Sequence, residues 1–264
     1  MRKAPISTSE QTHSSLTDTS LTAEQVIRDI KARARTHPAN DPTRFFKVAK
    51  GEYGYGDTFI GISVPDIRQI AKRYRTLSQR EMSVLITHVI HEVRVCGLLI
   101  AVYAIDDLKR VPDLQLRTYA HEQIYNRYVT HLASVNNWDL VDSSAYQILG
   151  SYLYTYVSDP YQTLARYAKS TSIWERRIAI IATFYAIRIG HVSDTYRVAL
   201  LLLTDSEDLI HKAVGWMLRE AGKKNESQLI AFLNDHAPHM PRTMLRYAIE
   251  RLPQSIRQRY LSRS

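Results

Sequence analysis

NNWDLVDSSAYQILGSYL, residues Asn136–Leu153, sets the reading of the whole chain. Asn137 is a residue type that caps helix N-termini, and Asp139 falls in the first turn, where the helix dipole favours a carboxylate. Leu140, Ala145/Tyr146 and Leu149 recur at helical spacing, so the segment is predicted to be an amphipathic helix. Trp138 and Asp142 stand one turn apart on a shared face. Outward from this stretch the pattern repeats. Ile178, Ile181, Ala182, Tyr185 and Ile189 form a second helical stripe. Thr22 with Gln25, and Ser78 with Glu81, have capping-box spacing. Ser63-Val64-Pro65 marks a helix start, since proline is tolerated in a first turn. Pro112, Pro160, Pro238, Pro241 and Pro253 lie between or at the ends of these segments. No stretch sustains period-two alternation, which argues against a sheet.

Trp138, Arg177 and Trp216 are evenly spaced: 177 − 138 = 39 and 216 − 177 = 39. A helical pair of the HEAT type is roughly 40 residues long. Equivalent positions in stacked pairs line up along one surface, usually the concave binding surface. A second echo supports a repeat. Glu92-Val-Arg94 followed by Tyr103-Ala-Ile105 returns as Glu175-Arg-Arg177 followed by Tyr185-Ala-Ile187, at offsets of 83 and 82. The predicted fold is all-α: a right-handed superhelical solenoid of roughly five or six HEAT-like helical pairs. It is expected to form one domain over residues 22–264; a compact helical bundle in two subdomains is the competing arrangement. Residues 1–21, rich in Ser and Thr and lacking the apolar stretch of a secretion signal, are expected to be a flexible tail.

Composition narrows the function. The 264 residues are 45% hydrophobic and 23% charged, the balance of a folded soluble protein. No apolar run approaches the ~20 residues of a membrane-spanning helix. Lys+Arg 35 against Asp+Glu 26 gives a net charge of +9, which points to a polyanion, nucleic acid ahead of a membrane surface. Cys96 is the only cysteine, so no intrachain disulfide is possible and a reducing cytoplasm, bacterial cytosol or nucleoid, is expected. Its apolar neighbours do not suit a reactive thiol. His88 with His91, and His236 with His239, are spaced i,i+3 without a metal motif. They are expected to be surface or capping histidines, and no metal site is expected.

Several residues carry candidate chemistry, each beside a plainer alternative. Arg44–Asp57 (RFFKVAKGEYGYGD) matches neither the dinucleotide fingerprint nor the P-loop. It is either a connector or a flexible segment that brings Lys47 and Lys50 near phosphates. Lys212, Trp216 and Arg219 share one helical face, as a solubilising cation–π stack or as a track for a phosphate backbone. In Trp174-Glu-Arg-Arg177 the indole is expected to pack and Arg177 to face outward. Trp138 alone is a common core residue. Asp142 is harder to dismiss, because a carboxylate on a phosphate-binding surface repels the ligand unless it meets developing positive charge. At ~4 Å and an effective dielectric near 20 it stabilises a unit cation by about 4 kcal/mol before desolvation. Its plainer role is an ion pair with a nearby arginine.

In these residues the chain resembles the AlkD-like DNA alkylation repair glycosylases, a HEAT-like repeat family. The similar segments are Phe45–Tyr74, Asn136–Leu153, Ser172–Ala179, Leu209–Glu220 and Met240–Leu252. The resemblance implies excision of N3- and N7-alkylated purines from duplex DNA without metal or cofactor, by a protein expected to be a monomer. It implies that Trp138 and Trp216 are the motif indoles, Asp142 the catalytic carboxylate and Arg177 a phosphate anchor. It further implies that the duplex is held against the concave surface, with no base flipped into a pocket. Asn137 departs from members with an aromatic before the motif tryptophan. A non-catalytic HEAT-repeat DNA-binding protein, or a protein-interaction scaffold, is the alternative; Asp142 separates the enzyme from both.

Overall fold

Helix starts follow the predicted capping chemistry. The computed structural model describes residues 21–36 and 45–262. The expected tail falls, save Leu21, outside them. Thr22 and Gln25 exchange hydrogen bonds as a capping box, backbone N to side chain at 3.0 and 3.3 Å, and open α1 (Ala23–Thr36). Ser63 accepts from the Asp66 amide at the start of α2 (Val64–Arg73). Ser78 accepts from Glu81 N at α3 (Gln79–Ile86). The Glu81 carboxylate does not complete that box: it accepts from Ala23 N at 2.7 Å and so caps α1 instead.

The chain continues as α4 (His91–Leu108), α5 (Leu114–Thr130), α6 (Trp138–Asp142), α7 (Ser151–Tyr156), α8 (Pro160–Ala168), α9 (Ile173–Ala182) and α10 (Phe184–Arg188). It ends with α11 (Ser193–Leu201), α12 (Asp208–Gly222), α13 (Glu226–His236), α14 (Arg242–Ala248) and α15 (Gln254–Leu261). Among the described residues there is no strand, only an isolated bridge between Thr58 and Ile90. No helix of these residues is long and apolar enough to cross a membrane.

Contacts join part of the chain into a row. It runs α4, α6, α9, α12 and α14, each in contact with the next. Against this row α8 packs on α9, α11 on α8 and α12, and α13 on α12. Helix α4 is buried continuously from His91 to Val102, which suits its apolar circumference and its contacts with α2, α3, α5 and α6. Two members of the row approach very closely. A β-carbon on Gly215 of α12 would lie 2.5 Å from the Met244 carbonyl oxygen and from Tyr247 Cβ of α14.

Two helices that the periodicity runs through without a break are broken. Beyond Asp142 the chain makes a turn, then a π-helical segment (Tyr146–Gly150) before α7. Buried Ser144 donates to the Leu140 carbonyl at 2.6 Å and lies 3.1 Å from the Tyr128 hydroxyl. Thr183, whose hydroxyl donates to Ile180 O at 2.7 Å, separates α9 from α10. Ile189, placed in the apolar stripe by periodicity, is 53% exposed because α10 ends one residue before it and the chain turns at Gly190.

Candidate active site

Trp138 and Asp142 are the first and last residues of α6. The expected cap is present: Asn137 Oδ1 accepts from Trp138 N at 2.8 Å. Asn137 is itself fully buried and its amide donates to Asp57 Oδ2 at 3.3 Å. Trp138 is half-buried, with the Phe46 ring stacked on it at 5.4 Å between centroids. The interval of 39 residues carries over into space, since Trp138, Arg177 and Trp216 lie on α6, α9 and α12 of one row. All three line one cleft of about 760 Å³, with Asp142, Tyr53 and Tyr247. Asp142 and Trp216 also line a second cavity of about 840 Å³, to which Tyr146, Phe184 and Arg188 contribute.

Arg177 grips Asp142 fork on fork, with Nε 2.9 Å from Oδ1 and Nη2 2.8 Å from Oδ2. Its Nη1 donates to the Leu209 carbonyl. The expectation that Arg177 faces outward is therefore corrected. Its side chain is 6% exposed against 20% for Asp142, so the guanidinium lies behind the carboxylate. The physical reason is charge pairing: a half-buried carboxylate draws the nearest fixed cation inward. Burial pushes the Asp142 carboxyl above the ordinary carboxylate range, and Arg177 opposes that shift.

The chain matches a family described as DNA alkylation repair enzyme over residues 26–252. It belongs to the DNA alkylation repair enzyme family. That places it in DNA alkylation repair, as an enzyme, with DNA as its partner. No curated protein matches it in sequence. Among solved structures it is similar in fold to "Predicted DNA alkylation repair enzyme from Enterococcus faecalis" at a TM-score of 0.57. The two are 16% identical, over 76% of this chain and 92% of that one.

The cations expected around this cleft are disposed unequally. Lys212 lines the cleft but pairs with Asp208 at 2.7 Å, and Arg219 pairs with Glu250 and, at 3.4 Å, with Glu220. Lys47 lines the cleft and is exposed; Lys50 is exposed on the same loop but does not line it. Among the described residues neither lysine has an acidic partner. Trp174 packs as expected, edge-on to Tyr53 at 5.9 Å. Cys96 is buried and its thiol pushed up to about 12 by burial, which makes it inert as a nucleophile.

Composition and spacing missed Phe46, Tyr53 and Tyr247 as cleft walls. They also misplaced His91, expected at the surface or as a cap. Its side chain is 2% exposed and its nitrogens face two carboxylates, Asp57 at 3.3 Å and Asp139 at 2.7 Å. The i,i+3 spacing of His88 and His91 carries no sign of Asp57, which lies 34 residues away in the sequence. Among the described residues no group of three or more His, Cys, Asp or Glu is arranged to hold a metal ion.

Proposed function

We propose that the chain is a monofunctional DNA glycosylase that excises cationic N3- or N7-alkylated purines from duplex DNA. The observation that carries this reading is the Asp142 carboxylate, still part-exposed, held by Arg177 in a cleft bounded by Trp138 and Trp216. An alkylated purine is already positively charged, so its bond to deoxyribose is weak and the base leaves neutral without protonation. The bonding electrons go with the base, and the positive charge stays on the sugar as an oxocarbenium ion. A carboxylate fixed in place stabilises that ion more than the ground state, which is what lowers a barrier. Water then adds at the anomeric carbon and gives up a proton, and this reading assigns Asp142 as the base that takes it. The two indoles offer electron-rich faces to sugar C–H groups as these turn positive.

In this reading Arg177 is a positioning residue for Asp142, keeping it ionised against burial. For it to anchor a phosphate as well, its fork on Asp142 must open or its remaining N–H groups must be used. Lys47, Lys50, Lys212 and Arg219 are assigned to the DNA backbone, the two lysines of the loop most directly because neither has an acidic partner among the described residues. The row of α6, α9, α12 and α14 supports stacking of HEAT-like pairs; in this reading they form a right-handed solenoid with the duplex along it and no base flipped into a pocket. The protein acts as a monomer in the cytoplasm, without a metal or cofactor.

A non-catalytic DNA-binding scaffold is the second reading, favoured by one fact: Arg177 engages both Asp142 oxygens. One assay separates the two. Incubated with a duplex containing 7-methylguanine, a glycosylase releases the free base and leaves an abasic site; tight binding without release supports the scaffold.

A further inference from the structure

Beneath Trp138 lies a buried ionic cluster that the chemistry above does not use. His91, the first residue of α4, directs Nε2 at Asp139 of α6 (2.7 Å) and Nδ1 at Asp57 (3.3 Å), the last residue of the glycine-rich loop. Asp57 also accepts from Arg94 Nη2 at 2.7 Å and from the Asn137 amide. Gly56, just before it, has φ +89°, a left-handed turn that aims Asp57 inward. The His91 ring meets both Phe46 (5.0 Å) and Phe59 (4.7 Å), which stack on each other at 4.9 Å, and Phe46 stacks in turn on Trp138.

We propose that His91, as the imidazolium, is a positioning residue for the reaction: it clamps the 45–57 loop to the start of α6 and so holds Phe46 against Trp138. This rests on the glycosylase reading, which gives a fixed Trp138 its purpose. Each ring nitrogen faces a carboxylate oxygen, and only the charged ring donates to both. The charged groups facing it are Asp57 from the loop, Asp139 from α6, and Arg94 from its own helix, with Arg94 Nη2 3.4 Å from Nδ1. Glu92 is committed to the Ile60 and Gly61 amides, and His88 accepts from Ile90 N. The α2 residues that line the adjoining cavity, Val64 and Ile67, are apolar. Burial opposes the charge on His91, but Asp139 and Asp57 outweigh it and raise the ring from 6.5 to about 8. The clamp is therefore complete below the unfolded value of 6.5 and is lost as pH rises through about 8.

Trypsin tests the clamp without reference to catalysis, because Lys47 and Lys50 are exposed cleavage points on the loop. Rates are normalised to a small peptide substrate at each pH. In the wild type, cleavage at these lysines is slow at about pH 6.5 and roughly tenfold faster at about pH 9.5. His91→Gln, with one neutral donor, is cleaved fast at both values, and it releases 7-methylguanine roughly tenfold more slowly than the wild type near neutral pH. Asp57→Asn removes one of the two anions and moves the wild-type midpoint toward lower pH. Should His91→Gln fail to fold, the wild-type profile and the Asp57→Asn shift decide alone. Wild-type cleavage that does not change with pH overturns the proposal, as does full loop protection in His91→Gln. If no form releases base while the trypsin profile holds, it is the glycosylase reading that fails and the clamp that stands.

Discussion

The Asp142–Arg177 pair concentrates the residue-scale physics. Removing one partner of a buried pair leaves a stranded charge, so Arg177→Ala is expected to cost about 3 kcal/mol, the low end for such pairs since Asp142 keeps some solvent. Urea unfolding checks it. Arg177→Lys should recover little, because an ammonium cannot reproduce the two-point grip. The same pair sets a pH limit. Asp142 acts only when ionised, and its carboxyl lies above the ordinary value, so activity falls on the acid side earlier than for a free aspartate. Without Arg177 that limb moves to still higher pH, read from base release against pH. Asp57 behaves oppositely: His91 and Arg94 outweigh burial and lower it to about 2, so its contribution to stability is present above 3.8 and lost as pH falls through about 2. At this scale the spacing of Trp138, Arg177 and Trp216 revealed which residues share a cleft. It could not show that Arg177 turns inward, because that depends on Asp142 being 35 residues away and half-buried.

Helix ends were legible wherever a single side chain decides them. Asn137, Ser63 and Thr22 cap as their residue types suggest. Asn137→Ala is expected to cost about 1 kcal/mol from the cap alone. It should cost more in all, because the Asn137 amide also ties down Asp57. Interruptions inside helices were not legible. The π segment after Asp142 and the break at Thr183 come from hydroxyl-to-carbonyl bonds and neighbouring helices, which leave no mark in hydrophobic period. Close helix approach is likewise a pairwise property. Gly215→Ala puts a methyl group against the α14 backbone and is expected to cost about 1–3 kcal/mol by overpacking. It should also reduce activity by displacing the adjacent Trp216. Thermal unfolding with a parallel base-release assay measures both; a variant as stable and active as the wild type contradicts the close contact.

The whole molecule joins a row of helices to a basic composition. An all-helical chain was readable from period and punctuation, and the near-40-residue interval anticipated that α6, α9 and α12 lie side by side. Net charge was a blunter guide, because a sum of +9 does not show which cations are free. Lys212 and Arg219 are paired with acidic neighbours, while among the described residues Lys47 and Lys50 are not. Duplex affinity is therefore expected to fall with salt, and Lys47→Ala should flatten the slope by about one phosphate contact. Lys212→Ala should flatten it less, since Asp208 already balances that charge.

The most direct measurement compares wild type and Asp142→Asn under single turnover, with a 7-methylguanine duplex and enzyme in excess at matched occupancy. The amide keeps the shape and removes the negative charge. Undiminished duplex affinity with base release slowed by about two orders of magnitude or more, the usual cost of losing a transition-state electrostatic partner, is the predicted result. Release at the wild-type rate would contradict the role of Asp142 and leave a helical DNA-binding protein without this chemistry.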